Sequence, residues 1–160
     1  MKTNTLFLLI CCIINIKCTS QHNTEEQKNN SVINKKYSQI EKVELREQTR
    51  GTNRLITFTK ESIIMYLNGD HTKSEISAAD WENISKEADL LDLSKISTYK
   101  STTTKRFHDG AMASVIMITA NGKTFSSTGF DAGIPPKELE GLYNVLKGKS
   151  GSITKLPGSR

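Results

Sequence analysis

Alternating and β-rich apolar runs dominate the first half of the chain. Apolar and polar positions alternate in the second half of residues 40–46, and β-rich runs follow at residues 55–59 and 63–67. The segments between and after these runs are typical of turns: Arg50-Gly51-Thr52-Asn53, Lys60-Glu61-Ser62 and Asn68-Gly69-Asp70. The pattern predicts three consecutive antiparallel strands.

The next segment has a helical period. Ser77 and Asp80 have the spacing of a capping box, in which the serine side chain accepts a hydrogen bond from a free backbone N–H and the acid reaches back. The apolar positions that follow are three or four residues apart: Trp81, Ile84, Ala88 and Leu91. This spacing predicts a helix that begins at Ser77 and covers the sheet, with Trp81 as a core anchor.

Two further apolar runs flank an Asn121-Gly122 pair. Residues 112–120 and 123–130 are strand-like, and Asn-Gly between such runs favours a type I′ hairpin turn. Residues 115–118 are apolar at every position, which predicts a strand that is central in the sheet or buried on both faces. The stretch before this hairpin, residues 94–110, shows no regular period.

A second helix is predicted near the end of the domain. Pro135-Pro136 suits its first turn and Gly148 its end. Its apolar stripe follows the i, i+3, i+4, i+7 pattern: Leu139, Leu142, Tyr143 and Leu146. The predicted fold is therefore α+β, an antiparallel five-stranded sheet with two helices packed on it, in the order β-β-β-α-β-β-α.

The N-terminal segment indicates export. A short positively charged start precedes an apolar run of 11 residues, residues 6–16, which has signal-peptide length and is too short to span a bilayer. We therefore expect residues 1–20 to be a signal peptide that is removed. This interpretation predicts an exported protein that is periplasmic, anchored to the outer membrane as a lipoprotein, or secreted.

All three cysteines, Cys11, Cys12 and Cys18, lie in or beside this segment, so no disulfide or thiol chemistry is expected in the folded domain. Two processing routes remain open. Cleavage after Ser20 leaves small residues at the cleavage site, whereas lipoprotein processing makes a lipidated Cys18 the first residue. Lys17 departs from the usual lipoprotein signal, but the polar stretch after Cys18 suits a tethered lipoprotein.

The composition divides the rest of the chain into three parts. Residues 21–36 hold few large apolar side chains and are expected to be a flexible polar tether, followed by a single domain at residues 37–147. Residues 148–160 contain several glycine and proline residues and are expected to be a flexible tail.

The charge is mild and argues against a nucleic-acid partner. The chain has 22 basic and 17 acidic residues, a net charge of +5 that falls to +3 once Lys2 and Lys17 leave with the signal. The basic residues are dispersed and are not interleaved with aromatic residues, so the pattern typical of nucleic-acid binding is missing. Contact with a membrane is expected only through an N-terminal lipid, under the processing route that lipidates Cys18.

Residues 108–111 (HDGA), the hairpin NGKTFSS and the closing FDAGIPPKELEGLYNVL resemble a group of small exported proteins and lipoproteins of Bacteroidota-type bacteria. The resemblance covers about residues 43–147. It implies a small α+β domain behind a signal peptide and tether. It supplies no catalytic residues, and the Pro-Pro-Lys-Glu-Leu motif is interpreted as a turn and helix start.

Known catalytic motifs are missing from the sequence, including the nucleophile elbow, the zinc-protease helix, the phosphate-binding loop and the EF-hand. Of the three histidines, His22 falls in the tether, His71 in a predicted turn, and only His108 near several polar groups. No cofactor and no metal site are therefore expected, because nothing in the spacing requires ligands to converge.

One group of residues has candidate chemistry. If the hairpin loop has two residues, Ala113 lies opposite Phe130 and Met112 opposite Asp131, so Asp131 and Asp109 lie at the same end of the sheet. The functional alternatives are a His108–carboxylate pair for acid–base work and a recognition patch of Lys105 and Arg106 beside Asp131.

The favoured interpretation of the same residues is structural. In it, Asp109-Gly110 makes a turn and Asp131 caps the last helix.

The function expected from the sequence is a non-enzymatic binding module for an envelope protein, a peptide or a glycan. Its candidate binding residues are Lys100, Lys105 and Arg106, because residues 97–109 form a long polar connection of a kind that is often functional. The alternative is a weak hydrolase or metal-dependent enzyme that uses His108, Asp109 and Asp131.

Overall fold

The computed structural model describes residues 39–151, which form one antiparallel sheet and two α-helices. The predicted signal peptide, Cys18, the tether and the end of the predicted tail lie outside the described residues. The strands are β1 (Ile40–Gln48), β2 (Asn53–Thr59), β3 (Ser62–Leu67), β4 (Asp70–Glu75), β5 (Ala113–Ala120), β6 (Lys123–Ser126) and β7 (Phe130–Asp131). The helices are α1 (Ala78–Asp89) and α2 (Glu140–Ser150).

The α+β class and the antiparallel sheet are confirmed, but the prediction of five strands is wrong. The sheet has seven strands in the order β4-β3-β2-β1-β5-β6, with β7 also paired to β5. The order along the chain is therefore β-β-β-β-α-β-β-β-α. The first strand of the described residues, β1, lies in the middle of the sheet, between β2 and β5.

The missed strand β4 follows a turn that the sequence does show. Asn68 and Gly69 have positive φ angles of 53° and 104°, as a tight hairpin turn between β3 and β4 requires. The six residues of β4 are all polar, so no apolar alternation marks the strand. His71, which we expected in a turn, lies in β4 opposite Tyr66.

The hairpin of β5 and β6 has the predicted register only near its turn. Ala120 lies opposite Lys123, as expected, and the same register continues to Met117 and Ser126. Beyond that, Ala113 lies opposite Asp131 rather than Phe130, because one additional residue is accommodated between β6 and β7.

One face of the sheet carries the core. The buried strand residues alternate with outward ones and join the apolar faces of both helices in a single cluster. On α1 the buried positions are Trp81, Ile84 and Ala88, and on α2 they are Leu142, Tyr143 and Leu146. The predicted helix faces are confirmed at these positions, whereas Leu91 lies beyond the end of α1 and is only partly buried.

The helix ends differ in part from the prediction. The Ser77 side chain accepts from the Asp80 N–H at 3.1 Å, which confirms the cap of α1, while the Asp80 carboxylate meets Lys149 of α2 at 2.6 Å. A 3₁₀ turn at Lys137–Leu139 precedes α2, so the prolines lie before the helix. Gly148 does not end α2, which continues to Ser150.

Candidate functional site

The sheet face opposite the core, here called the open face, is covered by neither α1 nor α2. On β1 the core positions are Val43, Leu45 and Glu47, so Arg46 and Gln48 point to the open face. Arg46 lies directly opposite Leu55 of β2. The row continues through Tyr66 of β3.

A shallow dish of about 370 Å³ lies on the open face over β1, β2 and β3. Its lining residues are Arg46, Gln48, Asn53, Leu55, Tyr66 and Gly69. Tyr66 is 44% exposed, and its ring lies 5.7 Å from the ring of His71 at a tilt of 32°. The dish therefore combines one guanidinium, two carboxamides and an exposed aromatic ring.

Two turns are joined at the end of the sheet beside the dish. Asn53 donates its backbone N–H to the Asn68 side chain at 2.8 Å, and the Asn68 N–H returns a bond to the Asn53 carbonyl at 3.0 Å. The Asn68 amide also donates to the Gly51 carbonyl at 3.3 Å. The β1–β2 and β3–β4 turns thus hold one another in place.

The connection before β5 is fixed by a buried carboxylate. Asp131 follows Phe130, a core residue, and so lies on the open face, yet it is 0% exposed. Its oxygens accept from the backbone N–H groups of Lys105 at 2.7 Å and Arg106 at 3.0 Å. The Arg106 guanidinium adds an ion pair at 3.0 Å. Asp131 therefore caps the 3₁₀ turn Lys105–His108, not the last helix as the structural interpretation expected.

The charge of Asp131 is stabilised by these donors. Burial alone raises the pKa of a carboxyl group, but the N–H groups of Arg106 and Lys105 outweigh it. They hold the pKa of Asp131 well below its ordinary value of 3.8. Asp131 is therefore charged near neutral pH, and its oxygens are occupied by these donors.

Arg106 is committed to the loop itself. Its guanidinium also donates to the Ser101 hydroxyl at 3.2 Å and to the Thr103 carbonyl, and it stacks on the Phe107 ring at 4.3 Å. Phe107 is 69% exposed. The connection is thus an ordered loop that presents an aromatic side chain.

The candidate catalytic residues serve different purposes. His108 is exposed and makes no ion pair with a described residue, while Asp109 pairs with Arg50 at 3.3 Å and has a left-handed φ of 57°. Asp131 is buried beneath the loop. Within residues 39–151, no group of three or more histidine, cysteine or acidic residues is placed to hold a metal ion.

The candidate binding residues differ in their availability. Lys105 and Lys100 are exposed, so they remain open to a partner. Arg106 lies beside Asp131 as the sequence suggested, but its side chain is only 13% exposed.

A second buried acid was missed by the sequence analysis. Glu47 is 0% exposed and lies between the sheet and α2. Its carboxylate pairs with Arg54 and with Lys147, the latter at 3.2 Å, and accepts from the Tyr143 hydroxyl at 3.3 Å. Val43, Leu45 and Glu47 occupy every second position and so share one face of the strand. This pattern is the signal that could have revealed the buried acid.

Tyr143 connects this cluster to the segment before α2. Its hydroxyl oxygen accepts from the Gly133 N–H at 2.8 Å. Burial raises the pKa of Tyr143 above its ordinary value of 10.0, against the Gly133 hydrogen bond, and the neighbouring Glu47 adds to the rise. Tyr143 is therefore a neutral hydrogen-bonding link.

Fold and site together define a small α+β protein with a helix-free sheet face and an ordered loop beside it. Comparison with known proteins finds no matching family model, no similar curated protein and no similar solved structure. Within the described residues, neither helix has the length and apolarity that crossing a bilayer requires.

Proposed function

We propose that this chain is an exported binding domain that recognises its partner on the open face of the sheet. The observation that carries the proposal is the dish around Arg46 and Tyr66, which adjoins a loop whose backbone N–H groups and guanidinium are bound by Asp131. Ala113 joins the two features, because it pairs with Gln48 on one side and with Asp131 on the other. A surface that is ordered before the partner arrives loses less conformational entropy on binding.

The geometry does not favour the enzymatic alternative. Catalysis by His108, Asp109 and Asp131 needs the three side chains to converge on one reacting atom. Asp131 instead uses its oxygens on backbone and guanidinium donors, and Asp109 pairs with Arg50. These contacts account for both acids structurally.

Export is the second part of the proposal, and the N-terminal sequence supports it. The apolar run at residues 6–16 and the polar stretch after Cys18 suit a signal peptide followed by a tether, with or without a lipid on Cys18. The resemblance to exported proteins and lipoproteins of Bacteroidota-type bacteria supports the same location, the envelope or the surrounding medium.

Site-specific photocrosslinking tests the binding face. A photoreactive phenylalanine analogue at position 66 is expected to capture the natural partner from an envelope extract. The same analogue at position 90 is the matched control, because Leu90, the C-cap of α1, is 71% exposed and is not among the residues that line the dish. Capture from position 90 but not from position 66 would show that the binding face has been misplaced.

A further inference from the structure

The side chains of the dish suit a ligand rich in hydroxyl groups. Gln48 and Asn53 each offer a donor and an acceptor on one planar group, and Arg46 offers a fork of N–H donors. Leu55 and the Tyr66 ring provide apolar surface between them. A sugar has the matching character, since hydroxyl groups ring its edge and C–H groups cover its flat face.

The backbone of the dish is unavailable to a ligand. β1, β2 and β3 are each paired on both sides, so their ladder hydrogen bonds are already made. An extended peptide that adds to a sheet gains its affinity from free edge N–H and C=O groups. The dish lies away from both edges, and recognition there depends on side chains.

Arg46 is the one charged side chain among the residues that line the dish, and it makes no ion pair with a described residue. Lys73 and Glu75 of β4 lie on the same face and have opposite charges. Lys42 and Glu44 pair with each other at 3.0 Å, and Glu44 also accepts from Thr57 at 3.2 Å. An anionic ligand is therefore favoured over a neutral one.

We propose that the dish binds an acidic polysaccharide, a chain of hexuronate-type sugars, and this inference rests on the proposed function. The Arg46 guanidinium takes a sugar carboxylate through paired N–H donors. Gln48 and Asn53 bond the ring hydroxyls, and the Tyr66 ring packs on the C–H face. His71, Tyr66, Leu55 and Arg46 lie in one row across four strands, a span of about 14 Å at the usual strand spacing.

Calorimetric titration of the full processed chain with polygalacturonate tests the assignment, and its methyl ester is the matched neutral probe. We expect the ester to bind at least about tenfold more weakly than the acid. Arg46→Gln is expected to cause a similar loss, with partial rescue by Arg46→Lys. Lys60→Gln, an exposed change in the turn at the other end of β2, is expected to stay within about twofold of wild type.

Several results would overturn the assignment to an acidic polysaccharide. They are the absence of binding to polygalacturonate, equal binding of its ester, and equal weakening by Arg46→Gln and Lys60→Gln, which would indicate diffuse charge attraction. Arg46-dependent binding of polyglutamate with equal affinity would point to an acidic peptide instead. In each case, capture of a partner by crosslinking from position 66 would still support the binding face. Failure of that crosslinking would contradict the proposed function itself.

Discussion

Asp131 determines the conformation of a loop that lies 25 residues away from it in sequence, through the main-chain N–H of Arg106. Asp131→Asn keeps the shape but removes the charge and one acceptor. We expect the Lys105–His108 turn to loosen, because an amide cannot accept from the two backbone N–H groups and the Arg106 guanidinium at once. Trypsin should then cleave after Arg106 faster than in wild type while the far-ultraviolet dichroism stays the same; unchanged cleavage would mean that the loop is held by other contacts.

The same residue predicts a pH dependence. Because the folded pKa of Asp131 lies below its ordinary value of 3.8, its charge stabilises the fold above that value. The contribution decreases as the pH falls below about 4 toward the lower folded pKa. Urea unfolding should show that the free energy of unfolding of wild type exceeds that of Asp131→Asn by more at pH 7 than at pH 3.

Glu47 is the other residue whose removal should be costly. Its loss leaves Arg54 and Lys147 beside α2 without their carboxylate and the Tyr143 hydroxyl without its acceptor. Glu47→Ala should reduce the free energy of unfolding by about 3–5 kcal/mol, as for other broken buried pairs. Glu82→Ala on the exposed side of α1 should change it by less than about 0.5 kcal/mol in the same urea titrations; similar losses would place Glu47 at the surface.

The sequence predicted neighbours at the site better than it predicted their roles. Lys105 and Arg106 do lie beside Asp131, but the hairpin register from which Asp131 was placed is off by one residue at that end. Burial is a property of the whole fold, so the loop that covers Asp131 could not be foreseen. Glu47 was not identified because the predicted strand ended at residue 46, although the parity of Glu47 matches that of Leu45.

Among the elements, those with an apolar period were predictable and those without one were not. α1 and α2 carry stripes that must be buried, and both were located from the sequence. β4 is held at the sheet edge by pairing with β3, from Leu67 with Asp70 to Ser62 with Glu75. Backbone hydrogen bonds stabilise such a strand whatever its side chains, so its sequence carries no apolar signal.

Two glycines test the element boundaries in opposite directions. Gly69 has a φ of 104°, which side chains avoid, so Gly69→Ala should destabilise the protein by about 1 kcal/mol or more. Gly148 lies inside α2 with nothing within 4 Å of an added Cβ. Gly148→Ala should therefore stabilise it by about 0.5–1 kcal/mol. Thermal unfolding of both variants shows whether each change raises or lowers the stability. A loss of stability in Gly148→Ala would mean that the helix ends at Gly148.

At the scale of the whole molecule, the proposed export route makes a prediction for Cys18. Mass spectrometry of the native protein should find a chain that begins at Cys18 with added lipid or near Gln21 without it. Cys18→Ala should abolish membrane association under the first route and change little under the second, because only lipidation needs the thiol. Recovery of an intact Met1 from soluble cytoplasmic material would contradict export.

The central place of β1 has a consequence for the order of folding. β1 can pair early with β2, its neighbour in sequence, but its other edge stays open until β5 is available, where Gln48 meets Ala113. Closing the long segment between β1 and β5 costs conformational entropy, and this cost comes before burial of the core can offset it. We therefore expect the pairing of β1 with β5 to be a slow step of folding. A chain truncated before residue 113 should remain unfolded.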